Sequence, residues 1–189
     1  MSILKIQING KSAIGVYLAV NNVYGVYPST LIKMATDKIK RVFKVPFYPF
    51  SINNSNLLGV YSASNKHGII VPHIIREDEF IVLKSVISEI GHSYEVGVLK
   101  STDNAFGNLI LCNDNAAIIS SLLKKYKKEI EDTLNVEAVA YDFADSYLPG
   151  SISITNSKGC LVHPLTTDDE IDYISSVLKV ETDVSTVNR

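Results

Sequence analysis

Apolar residues along this chain fall into a phrase that recurs four times. In its clearest form, Asn56 to Asp78, it reads NLLGVYSASNKHGIIVPHIIRED. A glycine opens an apolar run, Val60 to Ala63, and the polar break Asn65-Lys66-His67-Gly68 interrupts it. Ile69-Ile70-Val71 then resumes the run before Pro72. Two β-branched runs divided by Asn and, three residues later, Gly predict a hairpin whose loop Gly68 closes with a positive φ. The layout returns as IGVYLAVNNVYGVYP (14–28), FGNLILCNDNAAIIS (106–120) and PGSISITNSKGCLVHP (149–164). Gly15, Gly59, Gly107 and Gly150 open the four phrases, at spacings of 44, 48 and 43 residues. Asn21, Asn65, Asn113 and Asn156 mark their turns. These eight residues are structural repeat positions, and the chain reads as a repeat protein.

Helical periodicity follows each phrase. Between Thr30 and Phe43, Ile32, Ala35, Ile39, Val42 and Phe43 share one face, with Lys33, Lys38, Lys40 and Arg41 largely opposite. Glu77-Asp78-Glu79 suit a second helix N-terminus, Phe80, Leu83, Ile87 and Ile90 form its apolar stripe, and Gly91 stops it. A third helix spans about Leu122 to Leu134 with Leu123, Tyr126, Ile130 and Leu134 inward. In the fourth, Thr167-Asp168-Asp169-Glu170 is a capping box ahead of Ile171, Ile174 and Leu178. Strands are expected at Ile3–Ile8, before the Asn9-Gly10 turn, at Glu95–Lys100, at Val136–Tyr141 and from Val180 onward. Val45–Phe50, with Pro46 and Pro49, reads as an edge strand or connector. Each unit is strand, hairpin and helix. One such unit is too small to be stable alone, so neighbours must share a core.

A formal charge of −2 and a pI near 6.1 argue against wholesale wrapping of nucleic acid, which needs a surplus of Lys and Arg. No apolar run is long enough to span a bilayer, and the opening MSILKIQINGK lacks the layout of a secretion signal. Cys112 and Cys160 sit at different places in their repeats, so they build no repeated disulfide or metal frame. A reducing cytoplasm is the simple inference.

Four motifs in order, GVYSASNKHGIIVP, NAFGNLILCND, GSISITNSKGCLVHPLTTDDEID and the terminal STVNR, resemble the translation initiation factor 6 family over nearly the whole chain. These are the archaeal and eukaryotic ribosome anti-association factors. The resemblance, closest to the archaeal type, implies an α+β (α/β repeat) fold: a pentein β/α-propeller, a pseudo-fivefold ring of strand–hairpin–helix units. Four of five are present here, in one domain with repeats of approximately 1–48, 49–100, 101–141 and 142–180. Residues 181–189 would start a fifth, so the chain is expected to omit roughly 35 residues, one repeat less its connecting strand. A second departure is Ala116 where other repeats offer glycine, together with Ser120-Ser121 where Pro would fall; a different hairpin loop is expected there.

The resemblance further implies binding to the joining face of the large ribosomal subunit, beside ribosomal proteins near the sarcin–ricin loop and with a local rRNA contact. The small subunit is thereby kept away, and a role in large-subunit maturation follows. A translational GTPase and its cofactor would eject the factor. The protein itself would be a cytoplasmic monomer with no cofactor, metal or membrane contact. Residues just after the repeated glycines, Val16, Val60, Asn108 and the Ser151-Ile152 pair, are expected to form the ribosome-binding rim. The family's contact positions map to Val60, Asn108 and Ile152; the plain alternative is that Val60 and Ile152 face the core.

Two other chemistries are weighed. Pentein rings also host guanidine-modifying hydrolases, and Cys160, His163, Asp168, Asp169 and Glu170 supply the residue types of a Cys nucleophile, a His base and acids. In the capping reading, however, those acids cap a helix and Cys160 is a structural thiol, so no residue is assigned a catalytic role. His67, His73, His92 and His163 lack metal-ligand spacing. Lys124-Lys125-Tyr126-Lys127-Lys128 could bind RNA directly, but Glu129, Glu131 and Asp132 at helical spacing favour a charge-balanced, solvated face.

Overall fold

The computed structural model describes residues 4–91 and 93–186. Ile3, His92 and the last three residues of STVNR lie outside them. Four copies of one module follow each other. The first has a 3-10 turn at Ile14–Val16, then β1 (Ala19–Val20), β2 (Gly25–Pro28), α1 (Lys33–Val42) and β3 (Phe47–Phe50). The second has the single helical turn α2 (Leu58–Tyr61), β4 (Ala63–Ser64), β5 (Gly68–Pro72), α3 (Glu77–Ile90) and β6 (Glu95–Leu99). The third has α4 (Phe106–Leu109), β7 (Ile110–Cys112), β8 (Ala116–Ile119), a 3-10 stretch (Ser121–Tyr126) running into α5 (Lys127–Leu134), and β9 (Glu137–Ala140). The fourth has β10 (Ser153–Asn156), β11 (Gly159–Val162), α6 (Asp168–Leu178) and β12 (Glu181–Val184).

Each module makes one three-stranded sheet. The hairpin pairs antiparallel, and the strand after the helix pairs parallel with its second strand, as in Ile70 opposite Ala63 and Gly97. The helix supplies the crossover that a parallel pair requires. β3 carries Pro49 at the sheet edge, where a missing N–H costs no ladder bond.

Helices sit between sheets, which is how the modules share cores. Leu83, Val86 and Ile87 of α3 pack on Ile69 and Val71 of their own sheet and on Tyr24 and Val26 of the sheet before. Ile130 and Leu134 of α5 repeat this with Ile119 and Ala138 on one side and Ala63 and Ile70 on the other. Ile174 and Leu178 of α6 do so with Cys160 and Val162, then Leu111 and Ile118. The face of the fourth sheet that corresponds to Leu111 and Ile118 carries Ile154 and Leu161, which are 62% and 42% exposed.

Several local expectations change. The glycines do not open strands: Leu57 to Ser62 makes i→i−3 and i→i−4 bonds (Val60 and Tyr61 to Leu57, Ser62 to Leu58), and the strand starts only at Ala63. Gly68 has no positive φ; those glycines are Gly10 and Gly91 among the described residues. The hairpin is closed instead by Asn65, whose Oδ1 accepts the amides of His67 and Gly68 at 2.9 and 3.2 Å. This is an Asx turn, and it needs no glycine. Hence the third hairpin, expected to differ, does not: Asn113 accepts from Asn115 and Ala116 at 2.8 and 3.1 Å. Residues 4–7 form no strand, and Ile8 makes only an isolated bridge to Lys11. In α1, Ile39 is buried but Ile32 and Phe43 face outward; Thr36 takes the inner place and bonds Lys33 O at 2.9 Å.

The turn asparagines also join module to module. Asn65 Nδ2 donates to the carbonyls of Asn113 and Leu134, and Asn113 Nδ2 donates to those of Asn156 and Leu178. Leu134 and Leu178 end their helices, so the amide satisfies helix carbonyls that lack partners within the helix. Asn113→Leu leaves the amides of Asn115 and Ala116 without their acceptor and takes one donor from the carbonyls of Asn156 and Leu178, of which Leu178 O keeps Asn115 Nδ2 at 3.1 Å. A loss of about 2–4 kcal/mol in urea denaturation is expected. Asn156→Leu, at an exposed position, should lose less than about 1 kcal/mol. Equal losses would show that the inter-module bonds contribute nothing.

Candidate functional site

The first strands of the hairpins, β1, β4, β7 and β10, contact one another in sequence, and Asn22 of the first module reaches Asp114 and Ser157 of the third and fourth, so the strands surround a common axis. Each glycine turn therefore lies at one end of that axis and each Asx turn at the other.

At the glycine end the turns stack directly. A Cβ on Gly59 would lie 1.8 Å from Gly15 O, one on Gly107 1.9 Å from Gly59 O, and one on Gly150 2.1 Å from Gly107 O. No side chain fits between these backbones, which is why the position repeats as glycine. Gly150 N–H donates to Asn108 O at 2.9 Å, adding a backbone bond across one contact. Val16, Val60, Asn108 and Ser151 follow the stacked glycines and are brought together round the axis, each half-buried. Ile152 occupies the place of Tyr17, Tyr61 and Leu109 in the other modules and leans on the third-to-fourth module core. Neither Val60 nor Ile152 is fully buried.

At the other end one carboxylate gathers the turns. Asp114 Oδ2 accepts from Asn22 Nδ2 at 2.5 Å and Ser157 Oγ at 2.7 Å, and Oδ1 accepts from Lys66 N at 2.9 Å. Burial pushes its pKa up, but the Ser157, Lys66 and Asn22 donors outweigh this and hold it below the usual carboxylate range. At the same end, Tyr94 Oη shares its one proton between the carbonyls of Asn65 and Gly68, at 3.0 and 2.9 Å, and accepts from Asn21 Nδ2. There the tyrosine takes the role that the next module's helix carbonyl plays for Asn65 and Asn113.

A sequence model of the eIF-6 family matches residues 3–189. The chain belongs to the eIF-6 family. A translation initiation factor 6 from Methanococcus vannielii is 37% identical over 179 residues, covering 95% of this chain and 79% of that relative. One from Pyrobaculum aerophilum is 31% identical, covering 99% of this chain and 83% of the relative. Among solved structures, an amidinotransferase from Microseira wollei of the saxitoxin biosynthetic pathway aligns with a TM-score of 0.50 at 7% identity, over 87% of this chain. This chain spans 59% of that enzyme's length, and the likeness concerns the fold: a mixed α/β, pentein-like propeller.

In this eIF-6 family chain the residue types of the enzyme alternative stand apart in role. Burial pushes the Cys160 thiol up to about 11, with hydroxyls of Thr155 and Thr182 offsetting part of the effect. A nucleophilic thiolate needs the opposite shift. His163 Nδ1 accepts from Leu165 N, and Glu170 accepts from Thr167 N and Ala144 N. The thiol of Cys112 is likewise raised, to about 12, by burial first and by Asp114 second. Among the described residues no group of three or more His, Cys, Asp and Glu could hold a metal ion, and no helix is long and apolar enough to cross a membrane.

Two roles that join the modules were not read from the sequence. The position after each turn asparagine collects Asn22, Lys66, Asp114 and Ser157, four polar residues that meet at the axis. Glu79 and Glu170 stand equally far beyond their glycines and both reach back to bond the inter-module turn. Comparing the modules column by column would have found both.

Proposed function

We propose that this protein binds the large ribosomal subunit at its joining face through the glycine-turn end of its axis and keeps the small subunit away by occupying that surface. The observation that carries this is the stacking of the four glycine turns in a chain matched by the eIF-6 family over residues 3–189. One repeated position becomes one uncharged, mostly apolar patch of Val16, Val60, Asn108, Ser151 and Ile152, suited to the centre of a protein-binding interface. Ribosomal proteins beside the sarcin–ricin loop are the proposed contacts. The inter-module bonds of Asn65 and Asn113 and the Asp114 cluster supply rigidity. A rigid body that fills a docking surface blocks a partner sterically, and no chemistry is required.

In this reading the protein acts in the cytoplasm as a monomer without a cofactor. It contributes to large-subunit maturation and is released by a translational GTPase and its own cofactor. The fold likeness to an amidinotransferase does not carry catalysis with it, because Cys160 is buried in the core with its thiol protonated at neutral pH.

Sedimentation with separated ribosomal subunits tests the reading. Co-migration with the large subunit is expected, and co-migration with the small subunit alone, or with neither, overturns it. Asn108→Glu places a charge in the patch at a half-buried position whose side chain has no hydrogen-bond partner among the described residues. Near-normal thermal stability with large-subunit binding weakened at least about tenfold, roughly 1.4 kcal/mol, is expected. Val60→Glu should act alike. Unchanged binding in both would remove the glycine-turn end from the interface.

A further inference from the structure

We infer that Asn9 is a modification site: its side-chain amide loses ammonia to attack by the backbone nitrogen of Gly10, and the residue becomes aspartate or isoaspartate. This chemistry is independent of ribosome binding.

The reaction needs a side-chain amide free to turn and a following backbone nitrogen free to attack it. Asn9 is the one asparagine of the chain followed by glycine, whose missing Cβ leaves that nitrogen open. Both residues are exposed and form a tight hairpin turn, with φ of 51° and 72°. Neither the Asn9 amide nor the Gly10 N–H has a hydrogen-bond partner among the described residues. Serine follows two other asparagines, Asn54 and Asn156, and there one of the two groups is engaged. Ser55 N donates to Ile52 O at 3.0 Å. Asn156 Oδ1 accepts the amides of Lys158 and Gly159 at 2.7 and 3.2 Å.

The later junctions show what Asn9 lacks. Glu79 and Glu170, each the third residue of its helix, accept the amides of Asn53 and Asn54 and of Ala144. The third residue of α1 is Ala35, so no carboxylate stands there to hold the Asn9-Gly10 turn. Two bonds between Ile8 and Lys11, at 3.0 and 2.9 Å, close it. When they open, the backbone at Asn9 can swing Cγ against Gly10 N. That nitrogen gives its proton to water and attacks Asn9 Cγ. The new C–N bond closes a succinimide ring, the Cγ–Nδ2 bond breaks, and Nδ2 takes up a proton and leaves as ammonia. Water then opens the ring at either carbonyl. Opening at Cγ gives aspartate; opening at the backbone carbonyl routes the chain through Cβ and Cγ, which is isoaspartate. Both products add a negative charge just ahead of the Gly15 turn. Isoaspartate also lengthens the backbone of a turn that adjoins fully buried Ile8.

The test incubates the folded chain at mildly alkaline pH and follows its asparagines by peptide mapping and mass spectrometry, which reads the exchange of NH2 for OH. Asn9 should react at least about tenfold faster than Asn54 or Asn156, a difference of about 1.4 kcal/mol in activation free energy. In urea, Asn54 and Asn156 should speed up, because the hydrogen bonds that guard them are gone. Ala35→Glu supplies the missing carboxylate. It should slow the reaction of Asn9 at least about tenfold in the folded chain and leave the rate in urea unchanged. An Asn9 that stays intact in the folded chain while it reacts in urea overturns the inference. So does an Asn54 or Asn156 that reacts as fast as Asn9 in the folded chain. A folded Ala35→Glu variant with an unchanged rate also overturns it, since the open turn would then not be the source of reactivity.

Discussion

Gly107→Ala should cost more than about 3 kcal/mol of unfolding free energy. The added Cβ would sit 1.9 Å from Gly59 O, 2.8 Å from Ser62 O and 2.9 Å from Gly59 C. All three atoms are backbone, in a turn held by its own hydrogen bonds, so no flexible side chain can move aside. Relief requires the second and third modules to separate, which opens the core they share around Ile70, Ala63 and Ile130. Gly15→Ala is the internal control. It occupies the same position in its module, with nothing within 4 Å of the new Cβ and no positive φ. There the substitution should be neutral or stabilising by about 0.4–1 kcal/mol, because it only removes freedom from the unfolded chain. Urea denaturation of the two variants separates the explanations. A similar loss at both would mean that glycine is required by turn conformation, and the stacking account would fail.

This contrast also marks how far the sequence could be read. The recurrence of glycine and asparagine at fixed places located the four modules, and the apolar spacing after them placed the helices, because those signals are internal to a segment. Leu123, Ile130 and Leu134 are inward as their spacing predicts. The reason for the glycine was not internal. GVYSA has the composition of a buried strand, and a run that short cannot be told from one helical turn by periodicity. What fixes it as a turn is the carbonyl of the preceding module, a contact across 43 to 48 residues of chain. The asparagine was placed at the turn but its part in closing it was missed, for a related reason. Asn-to-Gly suggested a φ-driven loop, whereas Oδ1 closes the turn locally and Nδ2 reaches the next module. Ala116 in the third hairpin was the clue, since an alanine there meant that no glycine conformation was needed.

The grouping of the candidate residues was legible, and their orientation was not. Val16, Val60, Asn108 and Ser151 do gather at one end of the axis, since a repeated position in a ring makes one circle. Ile152, one residue on, leans on a core because the helical turn rotates successive side chains by about a quarter of a revolution or more. At the opposite end Asp114 drew no attention, as it is a lone acid in a polar turn. Its importance comes from Asn22, Lys66 and Ser157, which the sequence holds 92, 48 and 43 residues away.

Glu79→Gln is expected to destabilise the protein by about 2–4 kcal/mol at neutral pH, and by progressively less as the solution is acidified. The side chain is 5% exposed and accepts four hydrogen bonds. Oε2 takes the amides of Asn53 at 2.6 Å and Arg76 at 3.1 Å; Oε1 takes Asn54 N at 2.8 Å and Ser51 Oγ at 2.9 Å. Those donors belong to the left-handed Asn53-Asn54 turn that passes the chain to the next module and to the N-terminus of α3. Glutamine keeps one oxygen and turns an NH2 group toward two N–H or O–H donors, so it cannot repeat the arrangement. Burial alone would raise the pKa of Glu79, but the amides of Asn54, Arg76 and Asn53 and the Ser51 hydroxyl outweigh it and hold the value below that of an ordinary glutamate. A folded-state pKa lower than the unfolded one contributes stability that is complete above the unfolded value, about 4.3. That contribution is lost as pH falls through the folded value. The wild type and Glu79→Gln should therefore differ by a constant amount from pH 7 down to about 5 and converge below about 4. Glu77→Gln, at an exposed position in the same helical turn, should stay within about 0.5 kcal/mol of wild type throughout. A gap for Glu79→Gln that persists unchanged into acid would show that the side chain acts by shape and not by its charge.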